Sequence, residues 1–347
     1  MNPAVLGQEK PENSPSQLPL VDSFGRAHRS LRLSVTDVCN IRCVYCMPEE
    51  NPEFLQHENL LSFDALERFV RFMVERGIDN LRLTGGEPLL RKDLPQLIER
   101  LAAIPGLGDI AMTTNAMLLA ESAKQLADAG LRRINISLDT LSEEVFERIS
   151  RRKGLNKVLA GIDAALATDK LSVKLNALVL RDVNLGGVLE LVEFASERKI
   201  PLRFIEFMPL DAERAWSTQR MVSGAELRSI IEERFGTLEA ITPEDPSRPS
   251  QDYRLATGSV VGFIDSVSKP FCGQCDRLRL TADGKLRNCL FGQQEWDVAP
   301  FLDEDSAAAL SRLEKELHSC LQAKFAAHGI ADPDFRQPDR PMYRIGG

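Results

Sequence analysis

The chain has 347 residues, 43% of them hydrophobic and 27% charged, the balance of an ordinary soluble core and a length that fits one large α/β domain or one domain with an appendage. Its formal net charge of -8 argues against broad non-specific binding to nucleic acid, which rests on cationic surface. A small anionic ligand stays open, because a few converging arginines hold one inside an acidic protein, and no apolar run approaches the roughly 18 residues of a membrane span.

Residues 1–21 are rich in Pro, Ser, Asn, Gln and Glu and lack a basic start followed by an apolar stretch. They read as a disordered leader without a secretory signal, and with the clustered cysteines this points to a cytoplasmic protein. From residue 31, strand-like runs at 31–36, 80–85, 109–114, 133–138, 173–180 and 203–208 alternate with amphipathic stretches. Those stretches, at 62–77, 92–104, 121–130, 154–168 and 185–199, place apolar residues three and four apart, as helices facing a sheet do. Gly77 and Gly130 close two of them as helix stops. This repeated alternation predicts a parallel sheet with crossover helices over 22–235. The periodicity fits a partial barrel and an open doubly wound sheet equally; in both, ligands gather at the carboxyl ends of the strands. Beyond residue 235 the character changes. A Pro-rich loop at 242–251 precedes shorter strand candidates at 259–267, 277–280 and 285–290, then a final helix and a tail ending in Gly346 and Gly347. Residues 236–347 therefore read as a separate C-terminal region.

Six of the seven cysteines fall in two tight groups, which in a cytosolic enzyme reads as metal binding sooner than as disulfides. The seventh, Cys320, lies in the last helix and reads as a partly buried small side chain. Directly after the first strand, Cys39, Cys43 and Cys46 form a CxxxCxxC run. Three thiolates can ligate three irons of a four-iron cubane and leave the last iron open to another molecule. An open iron can chelate the amino and carboxylate groups of S-adenosylmethionine (SAM), whose reductive cleavage gives a 5′-deoxyadenosyl radical and methionine. The alternative is a zinc knuckle, but structural zinc usually takes four ligands, and the nearest further candidate is His57 in a polar loop. After the next strand, Thr84-Gly85-Gly86-Glu87-Pro88 offers glycines that let a ligand approach the backbone and a carboxylate that accepts from an ammonium. Alone, the same run also reads as a tight strand-to-helix turn.

The second group is Cys272, Cys275 and the more distant Cys289. Zinc is a stronger alternative here, because zinc ribbons share the pattern. Beside the first group, the preferred reading is a second cluster whose open iron holds a nitrogen or oxygen of the substrate. Arg277 and Arg279, two apart on an extended segment, leave from one face and suit a phosphate or carboxylate. In isolation that segment reads as a solvated edge strand.

The first cysteine run, with Tyr45 before its last cysteine, resembles the signature of the radical SAM superfamily. With the Thr-Gly-Gly-Glu-Pro run, the Cys272–Arg279 segment, Cys289 and the terminal glycine pair, the chain resembles the GTP 3′,8-cyclases of molybdenum-cofactor biosynthesis from about residue 22 to residue 347. The resemblance implies a partial (β/α)6 TIM-type barrel of the radical SAM type, with a C-terminal extension carrying a second cluster. It implies two [4Fe–4S] clusters, the first on Cys39, Cys43 and Cys46 and the second on Cys272, Cys275 and Cys289. The first cleaves SAM and the second holds the guanine. A hydrogen atom leaves the ribose 3′ carbon of GTP, and the carbon radical attacks C8 to give (8S)-3′,8-cyclo-7,8-dihydroguanosine 5′-triphosphate. By the same resemblance Tyr45, Gly86, Glu87, Ser137 and Met208 contact SAM. Arg32, Arg82, Thr113, Lys174, Arg277, Leu278 and Arg279 contact GTP, and Arg277, Arg279, Gly346 and Gly347 serve catalysis. It further implies a homodimer, an electron donor, and a cyclic pyranopterin monophosphate synthase that consumes the product.

Thr113, Ser137 and Met208 fall at the carboxyl ends of their strands, where a barrel presents its site. Lys174 lies near the start of its strand, on one face with Asn176, and also reads as a flanking charge. Two other functions compete. A peptide-modifying radical SAM maturase shares the barrel but generally carries more C-terminal cysteines. A non-catalytic zinc-binding regulator needs neither the Gly-Gly-Glu-Pro run nor polar strand ends.

Overall fold

Polar and apolar side chains alternate along successive strands, and the alternation decides which way each strand faces. The computed structural model describes residues 19–48 and 50–346. In it, β1 (Leu20–Val21) and β2 (Ala27–His28) form a small hairpin ahead of β3 (Ser30–Ser34). Next come α1 (Phe63–Val74), β4 (Asn80–Thr84), α2 (Leu94–Ala102), β5 (Asp109–Thr114), α3 (Leu119–Asp128) and β6 (Arg133–Ser137). They are followed by α4 (Glu143–Ser150), α5 (Leu155–Leu166), β7 (Ser172–Leu178), α6 (Val188–Glu197), β8 (Leu202–Ile205) and α7 (Gly224–Phe235). The remainder comprises β9 (Glu239–Ala240), β10 (Gln251–Arg254), β11 (Val260–Ile264), β12 (Arg277–Leu280), β13 (Lys285–Arg287), β14 (Trp296–Asp297), α8 (Ala307–Gln322) and α9 (Met342–Ile345).

Serine marks several helix starts. The hydroxyls of Ser62, Ser142, Ser223 and Ser306 accept from the backbone N–H groups of Ala65, Val145, Glu226 and Ala309, each cap contributing about 1 kcal/mol. Gly77 and Gly130 follow α1 and α3 with φ of 96° and 118°, a region that side chains disfavour.

Strands β3 to β8 lie side by side in chain order and all parallel. A doubly wound sheet reverses its order at a switch point; this one does not. Right-handed crossovers therefore set the connecting helices on one face, and the sheet curls around the other. Leu31, Leu33, Leu81, Leu83, Met112 and Ile134 join the buried core under the helices. Arg32, Arg82, Thr113, Asn135 and Lys174 line the concave face. Register aligns them. Arg279, Arg32 and Arg82 make one row across β12, β3 and β4, and Thr113, Asn135 and Lys174 a second across β5, β6 and β7. The result is the partial barrel expected from the resemblance, left open between the edge strands β14 and β9. No helix among the described residues is long and apolar enough to cross a membrane.

Three expectations change. The boundary at residue 235 separates no packed unit: β11 runs parallel to β8 and β12 parallel to β3, so the C-terminal region extends the barrel sheet at both edges. Leu278, Leu313 and Leu317 share one core with Leu66 of α1, because the apolar face of added strands must be covered by the same layer. Residues 20 and 21, expected within a disordered leader, are ordered in a strand. Leu20 and Val21 pair with His28 and Ala27, and Asp22 ties the turn by accepting from the backbone of Phe24 and Arg26; residues 1–18 lie outside the described residues. The sequence reading also lacks α4 and α7. Each buries only two large apolar side chains, Phe146 and Ile149 in one and Leu227 and Ile231 in the other, too few to show a clear stripe.

Candidate active site

A barrel interior is ordinarily packed with branched apolar side chains. Here the concave face encloses a cavity of about 620 Å³ lined by cations, within the size range of small-molecule sites. Asp109 pairs with Arg133, and Asp252 with Arg203 at 2.8 Å. Among the described residues, Arg32, Arg82, Lys174, Arg277 and Arg279 have no carboxylate at ion-pair distance. Burial, then the charge of Arg277, brings Arg32 down to about 10, and burial, then Arg32, brings Arg82 down to about 9. Burial and Arg203 bring Lys174 down to about 8. All three stay cationic at neutral pH. The Nε and Nη2 atoms of Arg277 are buried without partners among the described residues, with its guanidinium 4.7 Å over the Phe271 ring. An unmet buried donor costs about 1–3 kcal/mol, which the oxygens of a bound anion relieve.

The cysteine groups sit at opposite ends of this face. Cys39 follows the carboxyl end of β3, whereas Cys275 precedes the amino end of β12, which runs parallel to β3. The first loop is clamped from two sides. Arg42 and Val44 donate their backbone N–H groups to the carbonyls of Ser150 and Ile149, at 2.8 and 3.0 Å, using the open carbonyl end of α4. On the other side, a Cβ on Gly86 would lie 2.3 Å from the Val38 carbonyl oxygen, and one on Gly85 would lie 2.4 Å from that of Thr36. The glycines are therefore needed for the close approach of the cysteine loop, where the sequence reading assigned that approach to a ligand. Glu87 is another latch. It is 1% exposed, and its carboxylate accepts from Thr114 Oγ1 at 2.7 Å, the Asn115 N–H at 2.7 Å and the Leu89 N–H at 3.1 Å. Burial pushes it up to about 7. The Tyr45 hydroxyl donates to Asp139 at 2.6 Å, and Asn115 Nδ2 donates to Cys39 Sγ at 3.7 Å.

The donor sets suit iron–sulfur clusters. All seven cysteines are free thiols. Burial lifts Cys39 to about 11, and burial, then the charges of Asp139, Cys39 and Cys46, lifts Cys43 well above its ordinary value. Thiolates that oppose one another this way need a cationic core to ionise around. A cubane asks for thiolates spaced around it, one to each iron. In the second group, burial pushes the Cys275 thiol up, but Arg277 and then Lys324 overcome this and bring it down to about 7. Burial raises Cys272.

Of the site residues predicted from sequence, the structure gathers Arg32, Tyr45, Arg82, Gly86, Glu87 and Thr113 around the cavity, together with the first cysteine group. Ser137, Lys174, Met208, Arg277 and Arg279 line it too, so Lys174 faces the cavity. Leu278 is the exception. Its side chain points to the opposite face, fully buried in the helix-covered core, as alternation along β12 requires, and it is not one of the residues lining the cavity. Of the second cysteine group, the neighbours Phe271, Asp276 and Leu290 reach the cavity wall. The Gly346 carbonyl accepts from Arg279 Nη1 at 2.8 Å and from Thr84 Oγ1 at 3.3 Å; Gly347 lies outside the described residues. The sequence reading missed Asn135, Arg203 and Asp139, which also line the cavity. Period-two spacing along β6 and β8, from Ser137 and Ile205, marks Asn135 and Arg203 as inward-facing, whereas Asp139 lies beyond the end of β6, where alternation gives no signal.

Residues 33–195 match the Radical SAM superfamily, and residues 200–330 match Molybdenum Cofactor Synthesis C. The chain is 47% identical to a GTP 3′,8-cyclase of Rhodopirellula baltica, over 97% of its own length and 94% of that protein. It is 43% identical to a GTP 3′,8-cyclase of Mycobacterium sp. (strain KMS), over 96% of its own length and 95% of that protein. Among solved structures it is similar to Streptococcus suis SuiB bound to S-adenosylmethionine, with a TM-score of 0.59 and 15% identity over 80% of this chain and 64% of that one. At that identity the likeness speaks for the fold alone.

Proposed function

Because this chain belongs to the GTP 3′,8-cyclase family within the radical SAM superfamily, we propose that its two thiol triads hold two [4Fe–4S] clusters, with SAM at the first and GTP at the second. It acts in molybdenum-cofactor synthesis, uses SAM and iron–sulfur chemistry, and takes GTP as substrate. The observation that carries the finer assignment is the placement of cations without a carboxylate partner among the described residues, between two thiol triads at opposite ends of one barrel. When bound, the first cluster and SAM supply the one-electron chemistry that removes hydrogen from the ribose, and ring closure gives (8S)-3′,8-cyclo-7,8-dihydroguanosine 5′-triphosphate.

The chain's share is positioning. Arg32, Arg82, Lys174 and Arg277 bind the triphosphate, and the unpaired Arg277 donors are open to its oxygens. Arg279, fixed by the Gly346 carbonyl, extends that row. Thr113 Oγ1 lies 3.4 Å from Arg82 Nη1 and sets the guanidinium from the side. At the carboxyl end, Tyr45, Gly86, Ser137 and Met208 surround SAM. Glu87 keeps the loops of that end together, and its remaining acceptor capacity would serve the methionyl amino group. The free thiols suit a reducing cytoplasm. A homodimer, a separate electron donor and a downstream cyclic pyranopterin monophosphate synthase follow from family membership and rest on it.

Substitution at the second triad tests the assignment. Cys272→Ser is expected to keep reductive SAM cleavage and lose the cyclised product. Product formation at the parent rate would remove the second triad from the site.

A further inference from the structure

Lys324 stands two residues beyond α8, and its ammonium is buried, with the residue 5% exposed. Its Nζ donates to the Asn288 carbonyl at 2.7 Å, the Arg277 carbonyl at 2.9 Å and Cys275 Sγ at 3.8 Å. Three donors thus meet three acceptors, and none is a carboxylate. A charge at this depth is costly unless an opposite charge lies beside it. Another cation in this corner, Arg26, donates to the Cys272 carbonyl at 2.7 Å and has Asp22 at 2.6 Å to balance it. Lys324 has no such partner among the described residues; the negative charge available to it is on sulfur.

The same three bonds join the two chain segments that carry the thiols. Arg277 opens β12 two residues after Cys275, and Asn288 directly precedes Cys289. Asn288 Nδ2 in turn donates to the Cys320 carbonyl at 2.8 Å, in the last turn of α8. The helix end therefore sets both the ammonium and one of its acceptors.

We propose that Lys324 is a positioning residue for the second cluster, holding its thiolate segments together and offsetting the negative charge of the occupied site. The proposal rests on the two-cluster reading. Reduction adds negative charge, and a cation beside a cysteine ligand stabilises the reduced form more than the oxidised one. Outer partners of this kind orient ligands and tune the metal centre.

The test uses the full chain with Cys39, Cys43 and Cys46 all changed to serine, reconstituted anaerobically with iron and sulfide, so that only the second cluster contributes. Lys324→Gln keeps N–H donors for the two carbonyls and removes the charge. It is expected to retain iron near the parent level but to show a more negative midpoint in an EPR-monitored redox titration. Lys324→Arg, which keeps the charge, is expected to return the midpoint toward the parent. Lys324→Met removes both functions and is expected to lose most of its iron on gel filtration. Should the Met variant fail to fold by circular dichroism, the midpoint of the Gln variant decides. A parent that holds no cluster overturns the two-cluster reading and this proposal with it. A parent that holds one, with variants equal to it in iron content and midpoint, overturns the proposal alone.

Discussion

Gly346→Ala asks the carboxy-terminal tail to carry a single methyl group. Gly346 has φ of +78°, and the added Cβ would meet Ser34 Cβ and Thr84 Oγ1, each at 2.8 Å. Left-handed backbone costs an L-residue about 1–2 kcal/mol, and forced contacts in packed surroundings add about 1–3 kcal/mol. Together they move the docked-to-undocked ratio of the tail by roughly thirtyfold to several-thousandfold, at about 1.4 kcal/mol per factor of ten. The tail follows the short helix α9, which is no part of the barrel sheet, so it can lift without unfolding the barrel. The loss falls on the bond from Arg279 to the Gly346 carbonyl, and through it on the aim of Arg279. Hydrogen exchange read at residues 342–346 reports docking, and coupled assays of 5′-deoxyadenosine and cyclised product report function. The expected outcome is faster exchange in the tail, an unchanged melting temperature, and product formation that falls well below SAM cleavage. A tail that remains protected, with product and SAM cleavage still in step, would refute the reasoning.

Other outcomes separate binding from packing. Arg277→Ala removes unpaired buried donors, and hydrogen bonds to charged groups contribute about 1.5–3 kcal/mol; the KM for GTP should rise about tenfold to a hundredfold in steady-state assays, and an unchanged KM would take Arg277 out of the substrate site. Leu278→Ala, one residue on, empties a core position and should cost about 2–5 kcal/mol of stability, read by thermal unfolding, with the KM of the folded fraction unaltered; a rise in KM with no loss of stability would contradict the facing assigned to β12. Lys174 is held down to about 8, so in the free enzyme its ammonium is fully present below that pH and is lost above it. GTP affinity should therefore weaken as pH rises through about 8, and Lys174→Met should bind weakly at neutral pH without that inflection; an inflection that persists in the Met variant would assign it to another group.

Much of the site was legible because strands alternate. Once 277–280 reads as a strand, Arg277 and Arg279 share a face, and the structure places both in the cavity wall. The same rule sends Leu278 to the core, a consequence that family correspondence alone did not supply. Arg203 and Asn135 obey the alternation equally well and were passed over because no motif surrounds them. The parallel order of β3 to β8 was legible only in part, since periodicity is identical in barrels and doubly wound sheets; the unreversed order decides it. Long-range pairings were not legible. Nothing in the sequence places Lys324 beside Cys275, or β11 beside β8. The glycines of the Gly-Gly-Glu-Pro run carried a correct constraint and a different cause, the close passage of the loop at Thr36–Val38.

The most direct test of the central claim is an anaerobic turnover of reconstituted protein with SAM, dithionite and GTP deuterated at the ribose 3′ carbon, followed by mass spectrometry. The account predicts deuterium in 5′-deoxyadenosine together with an isomer of GTP. Undeuterated 5′-deoxyadenosine with GTP left intact would contradict it.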